Sequence, residues 1–115
     1  MAREITRDDL NQVSMQVILH AGNARELTMA ALTELTAEKP DFRKIADNFK
    51  HAHLELTEAH SHQTDMIQLE ANGDFIPYST LFGHAQDTLM TIQSEMLLAE
   101  KITEIEKKHG DDSNA

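Results

Sequence analysis

The sequence predicts an all-α fold: an antiparallel, up-down-up three-helix bundle. The 115 residues include only four glycines and two prolines, the residues that most disfavour helix interiors. Apolar residues recur at spacings of three and four over three long segments, which is the periodicity of an amphipathic helix. Because the connections are short, consecutive helices must reverse direction and pack together. We expect one helical domain over residues 1–109 and a disordered acidic tail over residues 110–115.

The first predicted helix begins near Asp8 and Asp9, whose carboxylates favour a helix start. It fades at residues 37–39, because Pro40 disfavours helical geometry in the residue before it. Its apolar positions form one seam: Leu10, Val13, Val17, Ala21, Ala24, Leu27, Ala31 and Leu35. Gly22 interrupts this helix, either to allow close packing or as a tolerated glycine beside a solvated Arg25.

The second predicted helix covers residues 42–71, with Asp41 as its N-cap. Asn72 and Gly73 tolerate the left-handed conformation that ends a helix. The apolar seam of this segment includes one polar residue: Phe42, Ile45, Phe49, Ala52, Leu56, Ala59, Gln63 and Met66.

The third predicted helix follows a short extended link over residues 75–78 and runs to about Lys108, with Ser79 or Thr80 as its cap. Its seam is Phe82, Ala85, Leu89, Ile92, Met96 and Ala99. Further apolar residues widen this seam beyond what one chain needs: Leu81, Leu97, Leu98, Ile102 and Ile105. Surplus apolar surface predicts self-association.

Composition excludes several classes of function. The formal net charge of −10 with no basic patch disfavours binding to nucleic acid or to anionic lipid, and favours a basic partner surface. No apolar run approaches the roughly 18 residues that span a bilayer, and the first nine residues lack the apolar core of a secretory signal. Without cysteine there is no disulfide framework and no thiol chemistry. We therefore expect a cytoplasmic protein without membrane insertion.

One face of the third predicted helix carries side chains that could take part in a reaction. His84, Asp87, Thr88 and Thr91 lie at i, i+3, i+4 and i+7, which places them on one face. A neutral imidazole is a nitrogen nucleophile that can accept and pass on a group. Asp87 is either solvated or part of an interface, where copies related by symmetry would need a hard divalent ion.

The other histidines carry less specific signals. His51 with His53, and His60 with His62, lie two residues apart, about 200° around a helix, so neither pair chelates a metal from one helix. The segment containing His60, Gln63 and Thr64 could line a groove. Taken together, these residues leave His84 as the main candidate for chemistry.

Three segments resemble the lactose/cellobiose-type enzyme IIA family of the bacterial phosphoenolpyruvate-dependent sugar phosphotransferase system. They are residues 20–25 (HAGNAR), residues 59–64 (AHSHQT) and residues 84–91 (HAQDTLMT). The resemblance spans about Leu10 to Lys107, and its most specific element is His-Ala-Gln-Asp at residues 84–87.

The resemblance implies a phosphoryl relay. His84 would accept phosphate from the histidine-containing phosphocarrier protein and donate it to the cysteine of a IIB component, forming a phosphohistidine in between. Asp87 would bind a divalent metal, magnesium, on the axis of a homotrimer, and Gln86 would lie beside the active histidine. No organic cofactor is implied.

The chain departs from the family at Thr88, where many members carry a second histidine. Either the Thr88 hydroxyl takes over the role of that histidine, or the role is dispensable.

Two other functions remain open from the residues. One is a non-catalytic helical adaptor that binds a partner helix. The other is a histidine phosphotransfer protein of a two-component pathway.

Overall fold

A computed structural model describes residues 4–113 of the chain. These residues form three α-helices and no strand: α1 (Arg7–Leu35), α2 (Phe42–Ala71) and α3 (Thr80–Ser113). The helices pack side by side into a rod with extents of 65 × 20 × 20 Å. The predicted all-α class with three long helices is confirmed. Among the described residues, no helix is both long and apolar enough to cross a membrane.

The start of α1 differs from the prediction. Its N-cap is Thr6, whose Oγ1 accepts a hydrogen bond from the Asp9 backbone N–H at 3.1 Å. Asp9 reciprocates, because its carboxylate accepts from the Thr6 N–H at 3.0 Å. This capping box satisfies two helix-start donors that would otherwise lack partners. Asp9 thus stabilises the helix start as expected, but as the third helical residue rather than as the cap.

The two ends of α2 match the prediction. The Asp41 side chain accepts hydrogen bonds from the backbone N–H groups of Arg43 and Lys44. After the C-cap residue Asn72, Gly73 adopts a φ of +99°, which a residue without Cβ tolerates. Residues 74–79 then form an irregular link at the place where a short extended link was expected over residues 75–78, and Phe75 and Tyr78 project from it with high exposure.

The far end of α3 corrects the predicted tail. The helix continues to Ser113, so residues 110–113, expected to be disordered, are helical, while residues 114–115 lie outside the described residues. Gly110 does not stop the helix, since a glycine inside a helix costs only about 1 kcal/mol relative to alanine. No proline of the printed sequence lies near Gly110 to break the helix there, because its two prolines are Pro40 and Pro77.

The core follows the predicted seams on α2 and α3. One cluster contains the central seam residues of all three helices, and a smaller one comprises Ile5, Leu10 and Met66. On α1 most of the predicted seam is buried, but Ser14 and Thr28 are buried as well, while Val13 and Leu27 are only partly buried against the core. The two polar residues are tolerated because both hydroxyls donate to the carbonyl four residues earlier in their own helix.

Polar pairs link every pair of helices. They are His20–Glu55 and Lys44–Glu34 between α1 and α2, His53–Glu100 and His60–Gln93 between α2 and α3, and Arg25–Glu95 between α1 and α3, with Asn11 on α1 also bonded to Ser79 just before α3. From one contact to the next along the bundle, residue numbers increase on one helix and decrease on the other for α1 with α2 and for α2 with α3. For the contacts of α1 with α3 and the residue before it, the numbers increase on both sides.

Candidate functional site

The start of α3 is held in place by its cap. The Ser79 hydroxyl accepts a hydrogen bond from the Phe82 backbone N–H at 3.1 Å and donates one to Asn11 Oδ1 on α1, also at 3.1 Å. This arrangement fixes both the first turn of α3 and its contact with α1. His84 follows in the second turn, on a rigid element rather than on the irregular link.

The predicted polar stripe lies at the surface of α3. His84, Asp87 and Thr91 are exposed, and Thr88 is half-buried between them. Within the described part of the chain, the His84 imidazole and the Asp87 carboxylate make no hydrogen bond or ion pair. An exposed imidazole whose nitrogens are not engaged is accessible to a reacting group presented by another protein.

Gln86 lies apart from this stripe. Two residues along a helix correspond to about 200° of rotation, and Gln86 lines a groove of about 520 Å³ together with Phe82 and Gly83. The groove lies between the end of α2, the link and the start of α3, and the exposed rings of Phe75 and Tyr78 contribute to it. In one chain, Gln86 therefore faces the groove while His84 faces outward.

Asp87 begins a line of exposed residues along α3. The next members at helical spacing are Thr91, Ser94 and the apolar Leu98, followed by Lys101 and the apolar Ile105. Asp87 and Ile105 are 18 residues apart, which is five turns of an α-helix. Leu98 and Ile105 are 63% and 55% exposed, so the carboxylate and this apolar surface share one face.

Histidines elsewhere in the bundle are mostly bound to other side chains. His60 Nε2 lies 2.8 Å from Gln93 Oε1, and His53 Nε2 lies 3.0 Å from Glu100 Oε1. Both contacts join α2 to α3. His60 therefore connects two helices, and Gln63, one turn further on, has a buried Oε1 without a partner in the described part of the chain.

A second polar cluster lies between α1 and α2. His20 Nδ1 lies 2.6 Å from Glu55 Oε2, and the His20 ring stacks on that of His62 with 6.0 Å between centroids. The hydrogen bond with His20 lowers the pKa of Glu55, burial opposes that lowering, and a hydrogen bond with Asn23 adds to it. Histidine spacing within a single helix does not reveal this cluster, because its residues come from two helices. The sequence signal that could have found it is the i, i+4 spacing of Glu58 and His62.

Gly22 does not mark a close helix contact. A Cβ built at this position would meet no heavy atom within 4 Å. Close packing is therefore not the reason for this glycine. The Arg25 guanidinium, by contrast, is more than a solvated charge, since its Nε lies 3.3 Å from Glu95 Oε2 on α3.

Comparison with known families decides which family these helices represent. Residues 12–107 match the family described as PTS system, Lactose/Cellobiose specific IIA subunit. The chain belongs to this family. Membership of this family gives the chain a role in the sugar phosphotransferase system, and that role is of the transferase type.

Relatives of this IIA family member cover most of its length. The lichenan-specific phosphotransferase enzyme IIA component of Bacillus subtilis is 35% identical over 101 residues, covering 88% of this chain and 90% of that protein. The N,N'-diacetylchitobiose-specific EIIA component of Escherichia coli K12 is 36% identical over 102 residues, covering 89% and 84%. The crystal structure of the cellobiose-specific enzyme IIA from Bacillus anthracis superposes with a TM-score of 0.81 at 34% identity, covering 92% and 94%.

The segments that carried the family resemblance fall on all three helices of this IIA family member. Residues 20–25 lie on α1, residues 59–64 on α2 and residues 84–91 on α3. Among the residues that the structure describes, only the third segment presents its histidine at the surface without a side-chain partner. The first two contribute His20 and His60, whose rings are engaged with neighbouring helices.

Proposed function

We propose that this IIA component is a cytoplasmic phosphoryl carrier and that His84 is its acceptor. The histidine-containing phosphocarrier protein donates the phosphoryl group to His84, and His84 then passes it to the cysteine of a IIB component. The observation that carries this proposal is the exposed His84 imidazole, which no side chain of the described chain engages, inside the segment matched to the IIA family.

The chemistry needs only a nucleophile and a route to it. The lone pair of one His84 ring nitrogen attacks the phosphorus of the donor phosphohistidine, and the donor N–P bond breaks as the new N–P bond forms. Each imidazole keeps a proton on its second ring nitrogen during the transfer, so the donor leaves with the N–P electron pair as a neutral imidazole and no proton is consumed. In the second step a IIB thiolate attacks the phosphorus, and His84 departs as a neutral imidazole.

Neighbouring residues support the transfer by position. Thr88, one turn after His84 and half-buried, offers a hydroxyl that can donate a hydrogen bond to the phosphoryl oxygens, and we assign it the supporting role that a histidine fills in many family members. Gln86 faces the groove beside the start of α3, which gives it a supporting role in contacts with a docked partner. Phosphoryl transfer depends mainly on such positioning and charge stabilisation.

We further propose that three copies assemble as a homotrimer of antiparallel, up-down-up bundles. The order of the polar pairs between helices supports this topology. The exposed apolar residues of α3 support the assembly, because surfaces of this kind are normally covered. Since Leu98 and Ile105 share a line with Asp87, an assembly through this face would bring three Asp87 carboxylates near one axis.

Asp87 fits a role as a metal ligand only in such an assembly. One chain presents a single exposed carboxylate at this position, too few oxygens to hold an ion alone. Three copies would supply the hard oxygen ligands that magnesium prefers. The bound ion would neutralise like charges that otherwise repel at the axis.

The experiment that tests the relay follows phosphate in and out of the protein. Wild-type protein is charged with labelled phosphoenolpyruvate, enzyme I and the phosphocarrier protein, then chased with a IIB component. We expect label on the wild type and its transfer to IIB, and neither in His84→Ala. His51→Ala is the matched control, because His51 is exposed on α2. Label retained by His84→Ala contradicts the assignment, and no label on folded wild type favours the adaptor function.

A further inference from the structure

We propose that His20, Glu58 and His62 form a binding site for a transition-metal dication of the zinc class, separate from the Asp87 axis. The three side chains come from two helices, His20 from α1 and the other two from α2. Their ligand atoms all lie within 4.8 Å of one another. Two imidazoles and one carboxylate are a donor set that zinc uses in proteins, leaving a fourth position for water or another ligand.

The local sequence explains how α2 contributes two ligands. Glu58 and His62 are four residues apart, so they lie one above the other on the same helix face. His60, by contrast, points toward α3 and bonds to Gln93. The face that carries Glu58 and His62 meets α1 at His20, whose ring stacks on that of His62 at an interplanar angle of 13°.

Glu55 orients the His20 ring for coordination. A carboxylate can only accept in this contact, so His20 Nδ1–H donates to Glu55 Oε2 at 2.6 Å. The proton is then fixed on Nδ1, and Nε2 is left with the lone pair that a metal requires. Metal-bound histidines in proteins usually donate their second ring N–H to a carboxylate in this way, which fixes the ring and increases its basicity.

Exposure and charge are compatible with an ion entering from solution. His20 and His62 are half-buried, and Glu58 is exposed. Glu55 and Glu58 bring two negative charges to two neutral imidazoles, so a dication would be neutralised at this position. Tetrahedral zinc holds nitrogen ligands about 3.3 Å apart, given bonds of about 2.0–2.1 Å. The three ligand atoms lie within 4.8 Å of one another, and rotation of the exposed Glu58 side chain can bring its carboxylate closer to the two imidazoles.

The proposed site is chemically distinct from the Asp87 axis. It uses residues of α1 and α2 within one chain, whereas Asp87 lies on α3 and requires three copies. Imidazole nitrogen favours zinc and similar transition metals, whereas carboxylate oxygen favours magnesium. Excess magnesium should therefore leave the His20 site available, and replacing Asp87 should not affect it.

Zinc affinity measured by competition with a chromogenic chelator, in excess magnesium, tests the proposal on the full chain. We expect one zinc equivalent per chain for the wild type and for Asp87→Leu. His20→Gln and His62→Gln should each weaken zinc binding at least tenfold. Glu55→Gln should weaken it by about 10–100-fold, because it removes only the orienting carboxylate. The exposed His51→Gln variant should bind zinc like the wild type.

Two further readouts keep the test decisive. Cobalt(II) bound at this site should give the visible absorption of a four-coordinate ion in the wild type, and lose it in His62→Gln. Helicity by circular dichroism reports whether each variant folds, and if His20→Gln does not, Glu58→Gln on the exposed rim of the cluster replaces it. Wild-type zinc affinity in folded His62→Gln, or equal weakening in His51→Gln, would overturn the proposal.

Discussion

Two leucines on opposite faces of α3 provide the sharpest test of the packing. Leu89 is fully buried in the core cluster that joins the three helices, whereas Leu98 is 63% exposed. Leu89→Ala removes buried methyl groups and leaves a cavity, which costs about 2.7–5.0 kcal/mol in well-packed cores. We expect the upper half of this range, because much of the surrounding cluster is alanine, whose side chains cannot move into the space.

The same substitution at Leu98 should cost far less in an isolated chain. Complete burial of a leucine side chain contributes about 1.5–3 kcal/mol. Since only about a third of Leu98 is covered, Leu98→Ala should cost about 0.5–1 kcal/mol. Urea unfolding followed by circular dichroism at low protein concentration measures both free energies of unfolding.

The comparison also reports on assembly. If α3 is covered in a homotrimer, the cost of Leu98→Ala should increase with protein concentration, while that of Leu89→Ala should persist after dilution to single chains. A loss below about 1 kcal/mol for Leu89→Ala would refute the reasoning about the core. An equal loss for both variants in dilute, monomeric protein would refute the assignment of the two faces.

Three further predictions concern helix ends, glycines and the metal. Ser79→Ala should lower the free energy of unfolding by about 1 kcal/mol through loss of the α3 cap; an unchanged urea midpoint would contradict this. Gly73→Ala should destabilise by about 1–2 kcal/mol because of its positive φ, whereas Gly22→Ala should stabilise by about 1 kcal/mol; thermal melts that rank them the other way would be inconsistent with the backbone. Asp87→Leu should make sedimentation and melting insensitive to chelator; a response equal to that of the wild type would count against the axial metal.

Local sequence signals were sufficient to predict most of the fold. The bounds of α2 followed from Asp41 at one end and Gly73 at the other, because an N-cap carboxylate and a left-handed glycine act within one turn. Caps and periodicity are local properties, so one chain segment contains all the information. The prediction for α1 was less accurate at Thr6, although Thr6 and Asp9 have the spacing of a capping box and the sequence therefore contained the signal.

The remaining features depend on the register between helices. Ser14 is fully buried beside the partly buried Val13, and periodicity does not determine which of two neighbouring positions is the more deeply buried. The pairing of His20 with Glu55 joins residues 35 positions apart, and only packing reveals it. His84, in contrast, could be proposed from the sequence, because its stripe lies on one helix and its segment carries the family motif.

Intact-protein mass spectrometry after incubation with phosphoenolpyruvate, enzyme I and the phosphocarrier protein tests the central claim most directly. We predict one acid-labile phosphoryl group per wild-type chain, mapped to His84 by fragmentation under conditions that preserve phosphohistidine, and none on folded His84→Ala. A wild-type chain that stays at its unmodified mass, or a phosphoryl group on another histidine, would contradict the account.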